Sequence, residues 1–324
     1  MKTNYSGLVG DIGGTNARLA LVDTEGHLRN PKTYAAADYA ALPDVIGAYL
    51  DSTVGRRRPP RAVIAVAGPV IDGEIEFTNN DWRISEGELI GSFEFETAKL
   101  LNDFAAQAMA APVLAAENLQ RVGPELSGSE GAPLVVCGAG TGFGVAGLAR
   151  SERGDVAVAS EGGHMAFAPC NGLEADLLSW LREKHGRVSI ERVLSGSGLA
   201  DLYRALAAVR GKAPELTDER AVLNAGLAGD LLAGEALNVF CGVLGSVAGD
   251  LALTFGARGG VYLSGGVAPR MIALLKSGVF RERFEDKGRL SDYVRDIPTW
   301  LIVHPYAALV GAARALHQWD GVHL

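Results

Sequence analysis

Cysteine is scarce in this sequence. Three residues, Cys137, Cys170 and Cys241, are scattered, odd in number and without a CxxC pair. They give no disulfide framework. Cys137 and Cys241 lie in apolar runs and read as small core hydrophobes. Long hydrophobic runs are missing too. The longest uncharged stretch, Gly131 to Ala149, holds six glycines and Pro133, so it reads as strand, turn and strand, not as a membrane span. Little apolar sequence precedes Asp11, which speaks against a signal peptide. Positive charge is in deficit, with 30 basic against 38 acidic side chains and a net charge of −8. Such a balance offers no basic field to nucleic acid or anionic lipid. The one basic run, Arg56-Arg57-Arg58 with Arg61 beyond two prolines, reads as a solvated loop before a strand. These absences point to a reducing, cytoplasmic compartment and to partners that are neither membrane nor nucleic acid.

The 324 residues are enough for two domains with a sizeable core. The composition, 48% apolar and 21% charged, is that of a globular protein. Glycine stands out, with 42 residues, which implies tight turns or backbone held close to a ligand. Leu8–Asp11 and Ala17–Val22 read as short strands around a Gly-Gly-Thr-Asn turn. Ala62–Ala67 reads as a buried strand, and Lys99–Leu101 as a short apolar run before Asn102-Asp103. Leu134–Cys137 runs into Gly138-Ala139-Gly140-Thr141-Gly142 and returns as Val145–Ala149. A last glycine-bounded strand lies between Gly259 and Gly266. Apolar spacing predicts helices at 42–51, 104–111, 173–184, 191–208, 219–228, 233–255 and 306–317. Strands alternating with helices make this an α/β protein. The two glycine hairpins, about 130 residues apart, suggest a duplicated α/β unit.

Familiar nucleotide signatures are absent. No GxxxxGK[ST] occurs, and neither hairpin carries GxGxxG with a suitably spaced acid. GxSxG and HExxH are missing as well. What remains are glycine turns bearing a hydroxyl, Gly10 to Thr15 and Gly138 to Gly142. Their unshielded N–H groups can converge on phosphate oxygens, although each is also a plain tight hairpin. Gly265-Gly266 is a third and weaker turn. Asp11, at a strand end inside the first turn, can hold Mg²⁺ through water or make an Asx turn. Asp103, between an apolar run and a helix, can take a proton from an attacking hydroxyl or serve as an N-cap. Glu161 and His164 share one glycine loop, and Glu191 reads as the start of a helix. Carboxylates with an imidazole suit the hydroxyls of a sugar, and each residue also has a structural use, in the case of Glu191 facing the helix dipole. His164 with Cys170 cannot close a tetrahedral zinc site.

Six segments together resemble one family. They are Val9-Gly10-Asp11-Ile12-Gly13-Gly14-Thr15-Asn16-Ala17-Arg18, Leu101-Asn102-Asp103-Phe104, Gly138-Ala139-Gly140-Thr141-Gly142, Glu161-Gly162-Gly163-His164, Ile190-Glu191-Arg192-Val193-Leu194-Ser195-Gly196 and Ser264-Gly265-Gly266-Val267. In this order they look like the bacterial glucokinases of the hexokinase superfamily. The resemblance implies a two-domain, actin-like (ribonuclease-H-like) sugar kinase fold with an interdomain cleft. The smaller domain would hold 1–112 plus 305–324, and the larger one 113–304. It implies ATP-dependent phosphorylation of glucose to glucose 6-phosphate, the first step of glycolysis. Asp103 would be the catalytic base, with Asn102, Asp103, Glu161, His164 and Glu191 binding the sugar. Gly10, Asp11, Ile12, Gly13, Gly14, Thr15, Gly138, Gly140, Thr141 and Gly142 would take the ATP phosphates, and Gly265 and Gly266 would lie near the adenosine. Mg²⁺ near Asp11 and a homodimer belong to the same expectation. Thr78-Asn79 before Trp82 resembles the segment leading to the sugar. Related repressors and kinases carry clustered cysteines after the histidine. Here Cys170 stands alone, so no structural zinc is expected. A kinase for another hexose, such as fructose, mannose or an N-acetylated sugar, and a non-catalytic sugar sensor on the same fold remain open readings.

Overall fold

A computed structural model describes residues 5–77 and 82–318. The first elements in chain order are β1 (Tyr5–Ile12), β2 (Asn16–Asp23), β3 (Leu28–Ala35), α1 (Leu42–Thr53), β4 (Arg61–Val66), β5 (Glu74–Glu76), β6 (Arg83–Ser85), α2 (Glu86–Phe93), β7 (Thr97–Asn102) and α3 (Asp103–Ala110). Then come β8 (Leu119–Arg121), β9 (Leu134–Ala139), β10 (Phe143–Ala149), β11 (Val156–Ser160), α4 (Gly172–His185), α5 (Gly196–Val209), α6 (Glu219–Leu227) and α7 (Leu231–Phe255). The last are β12 (Gly260–Ser264), α8 (Ile272–Leu275), α9 (Val279–Glu285), α10 (Ser291–Arg295), β13 (Thr299–Ile302) and α11 (Ala307–Gln318).

The chain divides into two compact units. One comprises Met1–Ala115, Arg150–Ala159 and His304–Leu324, and the other Ala116–Ala149 and Ser160–Val303. In the first unit the strand order is β3-β2-β1-β4-β7. β1 and β2 form an antiparallel hairpin, while β1, β4 and β7 run parallel. The five apolar positions that define the helical period of α1, Leu42, Val45, Ile46, Tyr49 and Leu50, are the ones it buries. α11 packs on α3 so closely that a side chain at Gly311 would overlap the Ala106 carbonyl. The small residues Ala65, Ala106 and Ala308 meet there. The segment 150–159, which no pattern in the sequence marks, joins this unit through a buried carboxylate. Asp155 accepts from Arg314 of α11 at 2.5 Å, and Arg314 also donates to the Met109 carbonyl of α3.

In the second unit β10, β9, β12, β13 and β8 lie side by side in that order. β9 and β10 are an antiparallel hairpin, and β9, β12 and β13 run parallel. The hairpin followed by two parallel strands therefore occurs twice, as the two glycine turns suggested. α7 is long and apolar enough to cross a membrane, yet 67% of its most apolar stretch is buried. Its Gly245 and Gly249 let the backbone of α9 approach at Phe280 and Phe284. Cys137 and Cys241 are buried in this core, and burial pushes both thiols up to about 12.

Candidate active site

In the first unit the parallel register places Ile12, Val66 and Asn102 on one rung. The first glycine turn and the Asn102-Asp103 pair thus lie at the same carboxyl-end edge, two strands or about 10 Å apart. Carboxyl ends of parallel strands are where open α/β sheets bind ligands. The turn is closed by a hydrogen bond from Gly13 N to the Asn16 carbonyl at 2.9 Å. Asp11 faces Arg18 across the hairpin, and Arg18 Nη1 donates to Asp11 Oδ2 at 2.9 Å. Burial raises the Asp11 carboxyl above its usual range, against the opposing effect of Arg18. Arg18 stands in the sequence motif without a role. Hairpin register could have found it, because a turn of residues 13–16 sets position 11 opposite position 18.

The helix-capping alternative for Asp103 falls to its neighbour. Asn102 is the N-cap of α3, with Oδ1 accepting from Ala105 N at 3.1 Å and Nδ2 donating to the Gly68 carbonyl at 3.2 Å. Asp103 is the first helical residue, and its Oδ1 accepts from Phe104 N at 2.9 Å. Its carboxylate is held at the end of β7 without being the cap.

In the second unit the turn Gly140–Gly142 joins β9 to β10 and is closed by Gly140 N on the Gly142 carbonyl at 2.8 Å. The Gly140 carbonyl accepts from Gly196 N, at the start of α5, at 3.0 Å. Beside it, β12 ends in Gly265, whose φ of +90° requires glycine and which packs on the Ala139 carbonyl. Val267 N also donates to that carbonyl, at 3.2 Å. The second phosphate-turn candidate and Gly265-Gly266 are therefore adjacent.

Glu161 and His164 flank one 3-10 turn. His164 Nε2 lies 3.9 Å from Glu161 Oε2, and both side chains are more than half exposed. Glu191 corrects the sequence reading, because it does not begin a helix. α5 starts five residues later, at Gly196, where the Ser195 side chain caps it by accepting from Gly198 N. Residues 191–193 form a turn. The dipole alternative for Glu191 lapses with the helix. Its Oε2 instead accepts from Phe143 N, at the end of the glycine turn, at 2.9 Å. Its own N–H donates to the Gly163 carbonyl at 2.9 Å. Arg187 Nη2 holds the His164 carbonyl at 2.9 Å. Neither Arg187 nor the Phe143 N–H was readable as part of the site. The second unit thus brings together Gly138, Gly140, Thr141, Gly142, Glu161, His164, Glu191, Gly265 and Gly266. Gly10, Asp11, Ile12, Gly13, Gly14, Thr15, Asn102 and Asp103 lie in the first. Thr78 and Asn79 lie outside the described residues. Among the described residues neither His164 nor Cys170 belongs to a group of three metal-ligating side chains.

A sheet that occurs twice, each copy opening on a glycine hairpin, is the architecture of the two-domain, actin-like sugar kinases, and solved structures share it. A glucokinase from an Antarctic psychrotroph superposes with a TM-score of 0.87 at 41% identity, covering 96% of this chain and 98% of that one. A ROK family glucokinase from Streptomyces griseus, crystallised in complex with glucose and AMPPNP, has the same fold at 20% identity, with a TM-score of 0.64 and coverage of 96% and 99%. A glucokinase from Caulobacter sp. (strain K31) is 49% identical over 314 residues, 96% of this chain and 94% of that protein. The Glucokinase family model matches residues 8–319, and the chain belongs to the glucokinase family.

Proposed function

We propose that this protein transfers the γ-phosphoryl group of ATP to the 6-hydroxyl of D-glucose, with Asp103 as the base. The observation that carries this reading is the carboxylate at the end of β7, on the same sheet edge as a glycine turn and relieved of helix capping by Asn102. Phosphoryl transfer needs positioning, charge neutralisation and a base beside the attacking oxygen more than covalent help from the protein. The N–H groups of Gly10–Thr15 and Gly138–Gly142 orient the phosphates. Asn102, Glu161, His164 and Glu191 hold the sugar hydroxyls, and Gly265-Gly266 lies against the adenosine. Asp103 accepts the 6-hydroxyl proton as the oxygen attacks phosphorus. The family resemblance supports a cytoplasmic homodimer within the same reading.

A coupled assay offering glucose, fructose, mannose and N-acetylglucosamine with ATP and Mg²⁺ tests it. The expected result is the highest kcat/KM for glucose. Turnover of another hexose at a higher kcat/KM would replace the substrate, and no turnover of any would replace the class.

Asp11 fits a magnesium ion bound through water. Arg18 occupies Oδ2, and the carboxylate lies at the start of the Gly13–Asn16 turn. When bound, Mg²⁺ supplies positive charge to the phosphates. Asp11→Asn is expected to weaken the apparent Mg²⁺ affinity about 10–100-fold, as loss of an outer-sphere partner does. Mg²⁺ titration of both turnover and ATP binding measures it. An unchanged Mg²⁺ dependence in both would remove Asp11 from the ion's surroundings.

A further inference from the structure

The Glu191 carboxylate is anchored to the phosphate turn. Oε2 accepts from Phe143 N at 2.9 Å, and among the described residues Oε1 has no hydrogen-bond partner. One oxygen is fixed by the turn and the other is left for a hydroxyl. Gly142 makes room for this. Its φ is outside the left-handed region, so the backbone does not require glycine there. The constraint is space, because a Cβ at Gly142 would overlap Glu191 Oε2 and sit 3.1 Å from Cδ. Gly140, two residues earlier in the same turn, has nothing within 4 Å of a Cβ position. In the space a Cβ would fill, the two glycines differ: only the second faces the carboxylate. The segment behind it is tied down as well. Glu191 N bonds the Gly163 carbonyl and Ile190 N the Met165 carbonyl, both at 2.9 Å. A displaced carboxylate cannot be followed by its backbone.

We propose that Gly142 and the Phe143 N–H form a seat that aims Glu191 at the sugar, so that the phosphate turn sets glucose affinity even when no nucleotide is bound. This rests on the reading of Glu191 as a sugar ligand. Gly142 is a positioning residue, and its effect is exerted on sugar binding through Glu191.

The test is calorimetric titration of the full chain with glucose, without nucleotide, on the parent protein and on Gly142→Ala, Gly140→Ala and Glu191→Gln. Gly142→Ala is expected to raise the glucose Kd roughly tenfold or more, as misplacing a charged hydrogen-bond partner does. Gly140→Ala is expected to leave the glucose Kd within about twofold, since its new methyl meets no neighbour. Thermal denaturation of both alanine variants checks that the fold is kept, which is expected because only the tip of a flexible side chain has to move. Equal glucose affinity in the two alanine variants would overturn the seat. So would a weakened Gly142→Ala alongside an unaffected Glu191→Gln. Loss of binding in Glu191→Gln with a normal Gly142→Ala would keep Glu191 as a sugar ligand and still reject the seat. A parent protein that does not bind glucose would instead overturn the substrate reading itself, and the two failures are thereby distinct.

Discussion

Asp103→Ala is expected to lower kcat by on the order of 10²–10⁴, the usual worth of a positioned general base, with glucose affinity close to that of the parent. The local structure makes the experiment clean. Helix α3 is capped by Asn102, so removing the neighbouring carboxylate leaves the cap bond to Ala105 N in place. The losses include the hydrogen bond from Phe104 N to Asp103 Oδ1. Asp103→Asn separates that bond from the chemistry, because an amide oxygen can still accept from Phe104 N and cannot take up the sugar proton. Both variants are therefore expected to be slow. Steady-state turnover against calorimetric glucose binding measures the split. Parental kcat in both would return Asp103 to a structural role. A slow Ala variant with a fast Asn variant would place the effect in the helix start.

The largest expected loss of stability comes from a buried ion pair in the second unit. Arg283 Nη1 and Nη2 donate to the two oxygens of Glu174 at 2.6 and 3.2 Å, and the side chains are 18% and 3% exposed. Glu174 also accepts from Cys170 N and Asn171 Nδ2, and Arg283 Nε donates to Ser246 Oγ at 3.0 Å. The pair thereby ties the start of α4 to α7 and α9. Arg283→Met would leave the Glu174 carboxylate charged and buried without its partner, at a cost of about 3–5 kcal/mol. The double variant Glu174→Gln/Arg283→Met removes both charges and is expected to recover part of that loss. Chemical denaturation reports both values. A single-variant loss within about 1 kcal/mol, the range of an exposed pair, would show that the carboxylate finds other solvation.

The parts of the fold legible in the sequence are those where one local rule acts alone. The Gly-Gly-Thr-Asn turn specified β1–β2, and the Gly140–Gly142 turn specified β9–β10. The apolar period of α1 named its five buried residues. β3 escaped because it is a polar, largely exposed edge strand that carries Pro31, the kind of strand that needs no apolar alternation. β13 escaped because four residues are too few for a period to show. From the sequence, Glu191 after Val188-Ser189 reads as the start of a helix. The actual start is set by Ser195, whose hydroxyl bonds Gly198 N. The candidate residues stand at glycine turns and strand ends that the sequence marks, and their roles come from the family resemblance. Their hydrogen-bond partners were not legible, since the partner of Glu191 is a backbone N–H 48 residues away, and no side-chain pattern encodes that.

The C-terminal helix α11 has a bearing on how the chain is made. It belongs to the same unit as β1, β4 and α3, whose residues lie at the other end of the sequence. During synthesis α11 leaves the ribosome only after the whole of the second unit. Until then the small-residue face formed by Ala65 and Ala106 stays uncovered, and Arg314 is not yet there to meet Asp155. The later-encoded unit, whose strands and helices are nearly continuous in sequence, is thus able to complete its core first, while the amino-terminal sheet waits for its last layer. Completion of the amino-terminal sheet thus depends on the last segment synthesised, the long-range contact that costs most in chain entropy.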